Sequence, residues 1–372
     1  MKQSSRKETI RSSPENTCFI YNQKELNIMT SEPLLAQYDA LLSDLDGVVY
    51  AGPYAIEGAP EALNRAENSG VPVVFVTNNA SRSVESVAAH LQDLGVRTQA
   101  ERVVSSAQAG AALLAQHVPA GSKILVTGTE ALADCLRAVG LEPVSSQSDN
   151  PVAVVQGFNP QLSWEDLAEA AYTLADQNVL WVATNTDQTI PKERGQAPGN
   201  GTLVAAVGIA ARRTPIVAGK PEAAIFETAT QSVKASKPVI VGDRLDTDIL
   251  GANKAHMAGA LVLTGVQTYQ DVISAVPEQR PTYILRTLDD FFEPYPQIEI
   301  LHEDHAITAH GPSWAAKVQG NNLYLTVQGS FAPEGFSGSD AEAEAWRVAC
   351  AAWWVAHPEQ AVTPNIQGLP EV

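Results

Sequence analysis

Residues 40–50 read ALLSDLDGVVY, an apolar run that ends in two carboxylates, Asp44 and Asp46, followed by Gly47. A short apolar run without alternation is typical of a strand that is buried on both faces of a parallel sheet. The aspartates would then lie at the carboxyl end of that strand, where open parallel sheets bind their ligands. Gly47 lets the chain turn there with a positive φ.

Seven further apolar runs repeat this pattern along the chain, and amphipathic stretches separate them. Strand and helix in alternation predict an α/β fold, with a Rossmann-like, doubly wound parallel sheet as its core. The runs are residues 71–77, 122–128, 151–157, 179–184, 215–219, 237–243 and 259–265.

The spacing of the runs predicts more than one domain. Between Asn78 and Lys220 the chain has far more residues than a crossover needs, so we expect a separate α/β cap domain to be inserted there. After residue 295 short strand-like runs and one helical pattern predict a small α+β appendage. The predicted division is a disordered tail (1–34), a core (35–107 and 215–295), a cap (108–214) and a C-terminal appendage (296–372).

The charge balance limits the classes of partner. The chain has 42 acidic and 24 basic residues and a formal net charge of -18, which argues against nucleic-acid or anionic-membrane partners. Cys18, Cys135 and Cys350 are scattered and predict neither a disulfide framework nor a zinc site. With no apolar leader or membrane-length run, we expect a cytoplasmic protein. The sequence leaves open whether it forms a homo-oligomer.

Two motifs at predicted strand ends carry candidate phosphate chemistry. Asp44 and Asp46 alternate along an extended segment and so face the same side, although such a pair also occurs in calcium loops and helix caps. Thr77, Asn78 and Asn79 offer a hydroxyl, two amides and free backbone N–H groups that suit phosphate oxygens. A helix cap explains the second motif equally well.

Two more motifs follow later predicted strands. Lys220 comes directly after the run 215–219, and its ammonium group would lie at the same rim as the carboxylates, although an isolated lysine is usually a surface charge. Asp243 ends the run 237–243, and Asp246 and Asp248 follow it; the three acids suggest a site for a hard cation, or else a helix N-terminus. Four such motifs, each at a strand end of one sheet, favour a functional site over four unrelated structural features.

With these residues the chain resembles the phosphatases of the haloacid dehalogenase superfamily. The matching stretches are DLDGVV, VTNNAS, GKP and GDRLDTDI, and the resemblance covers about residues 38–290. The position of the insert is similar to the NagD and p-nitrophenyl phosphatase branch, which carries a large α/β cap. Residues 76–91 and 181–187, among others, are similar to actinobacterial glycerol-3-phosphate phosphatases.

The resemblance implies a magnesium-dependent phosphomonoesterase that forms an aspartyl phosphate. Asp44 would be the nucleophile, and Asp46 would protonate the leaving group and then activate water. Asp44, Asp243 and the backbone carbonyl of Asp46 would bind Mg²⁺, with Asp248 orienting a water on the metal. Lys220 would add positive charge beside the phosphate.

The remaining site residues would select and hold the substrate. Thr77, Asn78 and Asn79 would bind phosphate oxygens, and a cap loop from Asp187 to Ile190 would descend onto the leaving group, although a plain turn explains that loop equally well. We expect a small phosphomonoester, with glycerol 3-phosphate first. The alternatives are a sugar phosphate, phosphoglycolate, pyridoxal phosphate or a nucleotide, and, outside the enzymes, a phosphate-binding regulatory protein.

Overall fold

The predicted N-terminal tail falls largely outside the described part of the structure. Leu34, its last residue, is buried, and its N–H donates to the carbonyl of Glu293 at 2.9 Å, so Leu34 is already part of the folded chain. The residues described in this computed structural model are 32–192, 194–303, 305–327 and 338–368.

Each of the eight apolar runs contains a strand. In chain order the described strands are β1 (Ala40–Ser43), β2 (Tyr50–Ala51), β3 (Tyr54–Ala55), β4 (Val73–Thr77), β5 (Val103–Ser105), β6 (Lys123–Thr127), β7 (Glu142–Val144), β8 (Ala153–Gln156), β9 (Leu180–Ala183), β10 (Thr189–Lys192), β11 (Gly195–Pro198), β12 (Ile216–Val217), β13 (Pro238–Gly242), β14 (Ala258–Val262), β15 (Tyr283–Leu285), β16 (Glu299–Glu303), β17 (Ala306–His310), β18 (Trp314–Gln319), β19 (Asn322–Val327) and β20 (Asn365–Gln367).

Helices fill the amphipathic stretches between the strands. The α-helices are α1 (Ala59–Asn68), α2 (Val84–Asp93), α3 (Ser106–His117), α4 (Glu130–Ala138), α5 (Trp164–Thr173), α6 (Asn200–Ala211), α7 (Ala223–Val233), α8 (Leu250–Lys254), α9 (Tyr269–Ile273) and α10 (Gly338–Ala356). Short 3₁₀ turns are Leu34–Gln37, Ala100–Arg102, Gln147–Asp149, Pro277–Gln279 and Leu288–Phe292, and Leu245–Ile249 forms a π turn. None of the helices in the described ranges is long and apolar enough to cross a bilayer.

A six-stranded parallel sheet forms the core, in the order β15-β14-β13-β1-β4-β5. Every residue of β1, β4 and β13 is buried, as expected for strands covered on both faces. Ser43 pairs with Val241 on one side and Phe75 on the other, so the residues after all three strands emerge at one edge. The prediction of an α/β fold with a parallel core is confirmed.

The inserted segment forms a second parallel sheet, in the order β12-β9-β8-β6-β7. The sequence pattern places the run 215–219 in the core, but its strand β12 pairs with β9 of this second sheet, so that assignment is wrong. Only two residues of the run are strand, which is too little for the sequence to show which sheet they join. The domain boundaries remain a prediction.

The C-terminal segment forms a mostly antiparallel sheet, β16-β17-β18-β19-β20, in which only β19 and β20 run parallel. The helix α10 packs on β17 and β18. The sequence did not predict β18, because its run WAAKVQ carries small and charged residues, nor the three-residue β20. Residues of both pair in register with β19.

Candidate active site

Asp44 lies where β1 ends, and the neighbouring strand holds it there. Its N–H donates to the carbonyl of Val241 on β13 at 2.9 Å, which continues the ladder one residue past the strand. Gly47 turns the chain back with φ of 80°, and a Cβ at this position would lie 2.3 Å from Oδ2 of Asp243. Only glycine therefore fits between the two motifs.

Asp46 lies at the mouth of the site. It forms a backbone bridge with Tyr50 and its side chain is exposed. Although it is exposed, partial desolvation by the surrounding protein raises the pKa of its carboxyl group, while the positive charges of Lys220 and Arg82 oppose the rise. A carboxyl group of raised pKa at an open position suits a residue that gives and takes protons.

Lys220 is the buried cation of the site. Its Nζ lies 2.6 Å from Oδ1 of Asp44 and 2.7 Å from Oδ1 of Asp248. Burial by itself would lower the pKa of this ammonium group, but the negative charges of Asp248 and Asp44 outweigh burial and raise it. Burial raises the pKa of the Asp44 carboxyl group, and the charge of Lys220 opposes that rise. The interpretation of Lys220 as an ordinary surface charge is therefore wrong.

Asp243 and Asp248 complete a cluster of acids around Lys220. Asp44, Asp243 and Asp248 each place a carboxylate oxygen within 4.8 Å of the others. Burial raises the pKa of both Asp243 and Asp248 to about 6, and mutual repulsion adds to it, since Asp248 acts on Asp243 and Asp44 acts on Asp248. Three carboxylates against one ammonium leave two negative charges uncompensated.

The π turn that carries Asp248 directs its side chain inward. Oδ2 of Asp248 accepts a hydrogen bond from the backbone N–H of Arg244 at 3.3 Å and one from the Thr247 hydroxyl at 3.2 Å. Asp246, by contrast, is exposed and pairs with Arg244 at 2.8 Å, and the hydrogen bonds from that guanidinium lower its pKa. Of the three acids in this motif, Asp243 and Asp248 face the site.

The loop between β14 and α9 also reaches the site, and the sequence did not predict its role. The N–H of Val266 donates to Oδ2 of Asp243 at 2.9 Å, and the Thr264 hydroxyl donates to the carbonyl of Gly47 at 2.7 Å. A Cβ on Gly265 would lie 2.0 Å from Oδ2 of Asp243. The Thr-Gly pair at the end of a predicted core strand was the available signal.

Asn78 joins the core to the inserted segment. Its Oδ1 accepts from the backbone N–H of Lys220 at 2.7 Å, and its Nδ2 donates to the carbonyl of Lys220 at 3.0 Å and to Asp187 at 3.3 Å. Its own carbonyl accepts from Ser106 and from Asn185, both at 2.7 Å. The side chain is thus occupied with holding Lys220 and Asp187 in place, and its predicted phosphate contact is untested.

Thr77 and Asn79 shape the turn on either side of Asn78. The buried Thr77 hydroxyl accepts from the N–H of Asn79 at 3.1 Å. Oδ1 of Asn79 accepts from the N–H of Ser81 at 2.9 Å and from its hydroxyl at 2.7 Å. These bonds form a turn, and α2 is capped by Ser83, so the helix-cap interpretation of this motif is wrong. The phosphate-binding role of Thr77 and Asn79 stays a prediction.

The predicted cap loop begins a hairpin. Asp187 is half-buried beside Asn78, and burial raises the pKa of its carboxyl group while the Asn78 hydrogen bond lowers it. Thr189 and Ile190 lie on β10, which pairs with β11 in a two-stranded antiparallel ribbon. Asn78 therefore links Asp187 to Lys220 beside the acid cluster. The contact of Ile190 with a substrate stays a prediction.

Comparison with known proteins identifies the family. The haloacid dehalogenase-like hydrolase profile matches residues 41–142, and a second profile, HAD-hydrolase-like, matches residues 217–291. The chain is 44% identical over 295 residues to the D-glycerol 3-phosphate phosphatase of Mycobacterium tuberculosis, a match that covers 79% of this chain and 80% of the relative. The chain belongs to the haloacid dehalogenase-like hydrolase family.

Further members of this family agree in fold and in chemistry. An acid sugar phosphatase of Staphylococcus saprophyticus is 35% identical over 260 residues, covering 69% of this chain and 97% of that protein. The crystal structure of the glycerol phosphate phosphatase of M. tuberculosis in complex with magnesium superposes with a TM-score of 0.74 at 40% identity, covering 87% of this chain and 92% of that one. This haloacid dehalogenase-like hydrolase is a phosphatase that acts on small phosphate esters.

Proposed function

We propose that this phosphatase works through a phosphorylated Asp44 and that glycerol 3-phosphate is its substrate. The observation that supports the chemistry best is the ion pair between Oδ1 of Asp44 and Nζ of Lys220 at 2.6 Å. The pair favours the anionic carboxylate despite its burial and fixes its direction. The second oxygen of Asp44 is then the one that attacks phosphorus.

The reaction has two half-reactions that share one acid and base. First, an oxygen of Asp44 bonds to phosphorus as the bond from phosphorus to the ester oxygen breaks, and Asp46 donates a proton to that oxygen, which leaves as an alcohol. Next, Asp46 takes a proton from water, whose oxygen attacks phosphorus and releases inorganic phosphate and free Asp44. The exposed place of Asp46 admits both the leaving group and the water.

The acid cluster fits a magnesium ion. Its carboxylate oxygens converge within 4.8 Å, and Oδ1 of Asp243 is buried without a hydrogen-bond partner among the described residues. Mg²⁺ prefers oxygen ligands of this kind. We assign Asp44, Asp243 and the backbone carbonyl of Asp46 as ligands, while Asp248 holds Lys220 in place. When bound, the ion supplies positive charge that offsets the charge of the phosphate.

Two observations favour glycerol 3-phosphate among the small substrates. The relative with 44% identity is named D-glycerol 3-phosphate phosphatase. In addition, Asp187, Gln188 and Thr189 put a carboxylate, an amide and a hydroxyl at the start of the hairpin, and such groups recognise hydroxyls. The acid sugar phosphatase among the relatives makes a sugar phosphate the second candidate.

A cytoplasmic location and the absence of nucleic-acid or membrane partners are part of the proposal. Cys135 and Cys350 are free thiols, as in proteins of reducing compartments. The net charge of -18 repels polyanions. Whether copies of the chain associate is left open.

The test is a comparison of kcat/KM for several substrates with Mg²⁺ present. The panel contains glycerol 3-phosphate, propyl phosphate, glucose 6-phosphate, phosphoglycolate, pyridoxal phosphate and a nucleoside monophosphate, with Asp44→Asn as the inactive control. A site that reads hydroxyls should favour glycerol 3-phosphate over propyl phosphate by about tenfold or more. If another metabolite is preferred by that margin, the substrate assignment is wrong, although the chemistry stands.

A further inference from the structure

The C-terminal segment, of which the structure describes residues 296–303, 305–327 and 338–368, connects to the acid cluster through the loop 263–268. This loop has few anchors of its own at the site: the Val266 N–H on Asp243 at 2.9 Å and the Thr264 hydroxyl on Gly47 at 2.7 Å. Val266 is exposed, with a relative accessibility of 64%, so its side chain packs little against the rest of the protein.

The loop leads directly into α9, and α10 of the C-terminal segment holds both ends of that short helix. The ring of Tyr269, the first residue of α9, stacks on Trp346 with centroids 5.3 Å apart and planes 3° from parallel. At the other end, the indole N–H of Trp354 donates to the carbonyl of Ile273 at 3.3 Å. The position of α9, and with it the end of the loop, is therefore set by α10.

The π turn that carries Asp248 rests on the same apolar cluster. Leu245 and Ile249 lie on either side of Asp248 in sequence, and both are buried. They belong to one continuous cluster with Trp346 and Trp353 of α10 and with the inner faces of β17, β18 and β19. This cluster supports the π turn of Asp248, whereas the stack of Tyr269 on Trp346 acts on the loop that contacts Asp243.

Charged groups fasten the C-terminal segment to the core. Arg347 of α10 donates to the carbonyl of Ile284 on β15 at 2.8 Å and to Asp290 at 2.7 Å. Arg280 of the core donates to the carbonyls of His357 at 2.7 Å and Gln360 at 3.0 Å, just after α10 ends. These bonds fix the position of α10 on the core.

We propose that the C-terminal segment is a brace that positions Asp243 for cation binding, with Trp346 and Tyr269 as its positioning residues. The inference rests on the proposed function only in taking Mg²⁺ as the ion. Without the stack of Tyr269 on Trp346, the loop 263–268 would sample more conformations. Mg²⁺ binding would then have to order the loop, which costs free energy. The brace therefore raises the affinity for Mg²⁺, while residues that contact the phosphate are unchanged.

The experiment is a calorimetric titration of the full chain with MgCl₂ and no substrate. Trp346→Leu and Tyr269→Leu should each weaken Mg²⁺ binding by about tenfold, whereas Tyr269→Phe keeps the ring and should bind like the wild type. Leu323→Ala is the matched control, because Leu323 is fully buried in the same cluster but on β19. It should lower thermal stability and leave the Mg²⁺ affinity unchanged.

The outcomes separate the brace from the proposed function. If folded Tyr269→Leu binds Mg²⁺ as tightly as the wild type, or if Leu323→Ala weakens binding as much, the brace is refuted. Trp346→Leu deletes a large buried ring, so its folding is checked by circular dichroism. If Trp346→Leu does not fold, the result for Tyr269→Leu decides the question. Because the brace acts through metal affinity, saturating MgCl₂ should restore kcat of Tyr269→Leu with p-nitrophenyl phosphate. A wild type that binds Mg²⁺ but hydrolyses no phosphomonoester would refute the function and leave the brace standing.

Discussion

Replacing Asn78 with alanine should damage catalysis far more than stability alone accounts for. The substitution removes two hydrogen bonds of ordinary length to the backbone of Lys220, at 2.7 and 3.0 Å, and the longer contact with Asp187 at 3.3 Å. At about 0.5–1.5 kcal/mol for each of the three bonds, the free energy of unfolding should fall by about 1.5–4.5 kcal/mol. A shift of Lys220 by about 1 Å should lower kcat about 100-fold.

The assay is steady-state release of phosphate from glycerol 3-phosphate, together with a denaturant unfolding curve. Asn253→Ala is the matched control, because Asn253 Nδ2 likewise donates to two distant backbone carbonyls, of Glu278 at 2.8 Å and Arg280 at 3.1 Å. It should lose comparable stability, while kcat stays within about threefold of the wild type.

The two roles of Asn78 predict different kinetics. A positioning role lowers kcat with little change in KM, since Lys220 acts on the reacting group. A side chain that only bound the phosphate of the ground state would instead raise KM at an almost constant kcat. If Asn78→Ala keeps kcat within about threefold, or if Asn253→Ala loses as much activity, the argument from these hydrogen bonds is refuted.

Three further predictions concern the nucleophile, the metal and pH. Asp44→Asn keeps the volume but removes the nucleophile, so turnover should fall below a few per cent in a folded protein; greater activity in a preparation free of contaminating phosphatases would exclude the covalent route. EDTA should abolish activity and Mg²⁺ should restore it, whereas Ca²⁺, with longer bonds and higher coordination numbers, should not; equal rates with both ions would count against the site. Asp243 and Asp248 have pKa values raised to about 6, and Asp243 is a proposed ligand, so protons compete with the ion for it below that pH: the Mg²⁺ affinity, measured by calorimetry, should fall as pH drops from 7 to 5. Because these pKa values lie above the usual value for aspartate, the same two groups should make the metal-free fold more stable, not less, over that interval, and a loss of stability there would contradict the shifts.

The sequence alone was sufficient to predict four of the six core strands and the clustering of the acids at their ends, but not β5 or β15. A strand buried on both faces is a short apolar run wherever it occurs, so β1, β4 and β13 were predicted from local pattern. Since the carboxyl ends of parallel strands share one edge, the positions of Asp44 and Asp243 at two such ends were enough to place them together. Their proposed roles as nucleophile and metal ligand came from the haloacid dehalogenase resemblance.

The contacts that complete the site were decided only by the tertiary structure. Asn78 meets Lys220 across 142 residues of chain and Asp187 across 109, and no local periodicity encodes such a pairing. The same holds for β12, whose two residues join the second sheet, and for the Val266 N–H that holds Asp243. Helix and strand follow from patterns within a few residues, whereas these contacts depend on how whole sheets and helices pack against one another, which no short stretch of the chain specifies.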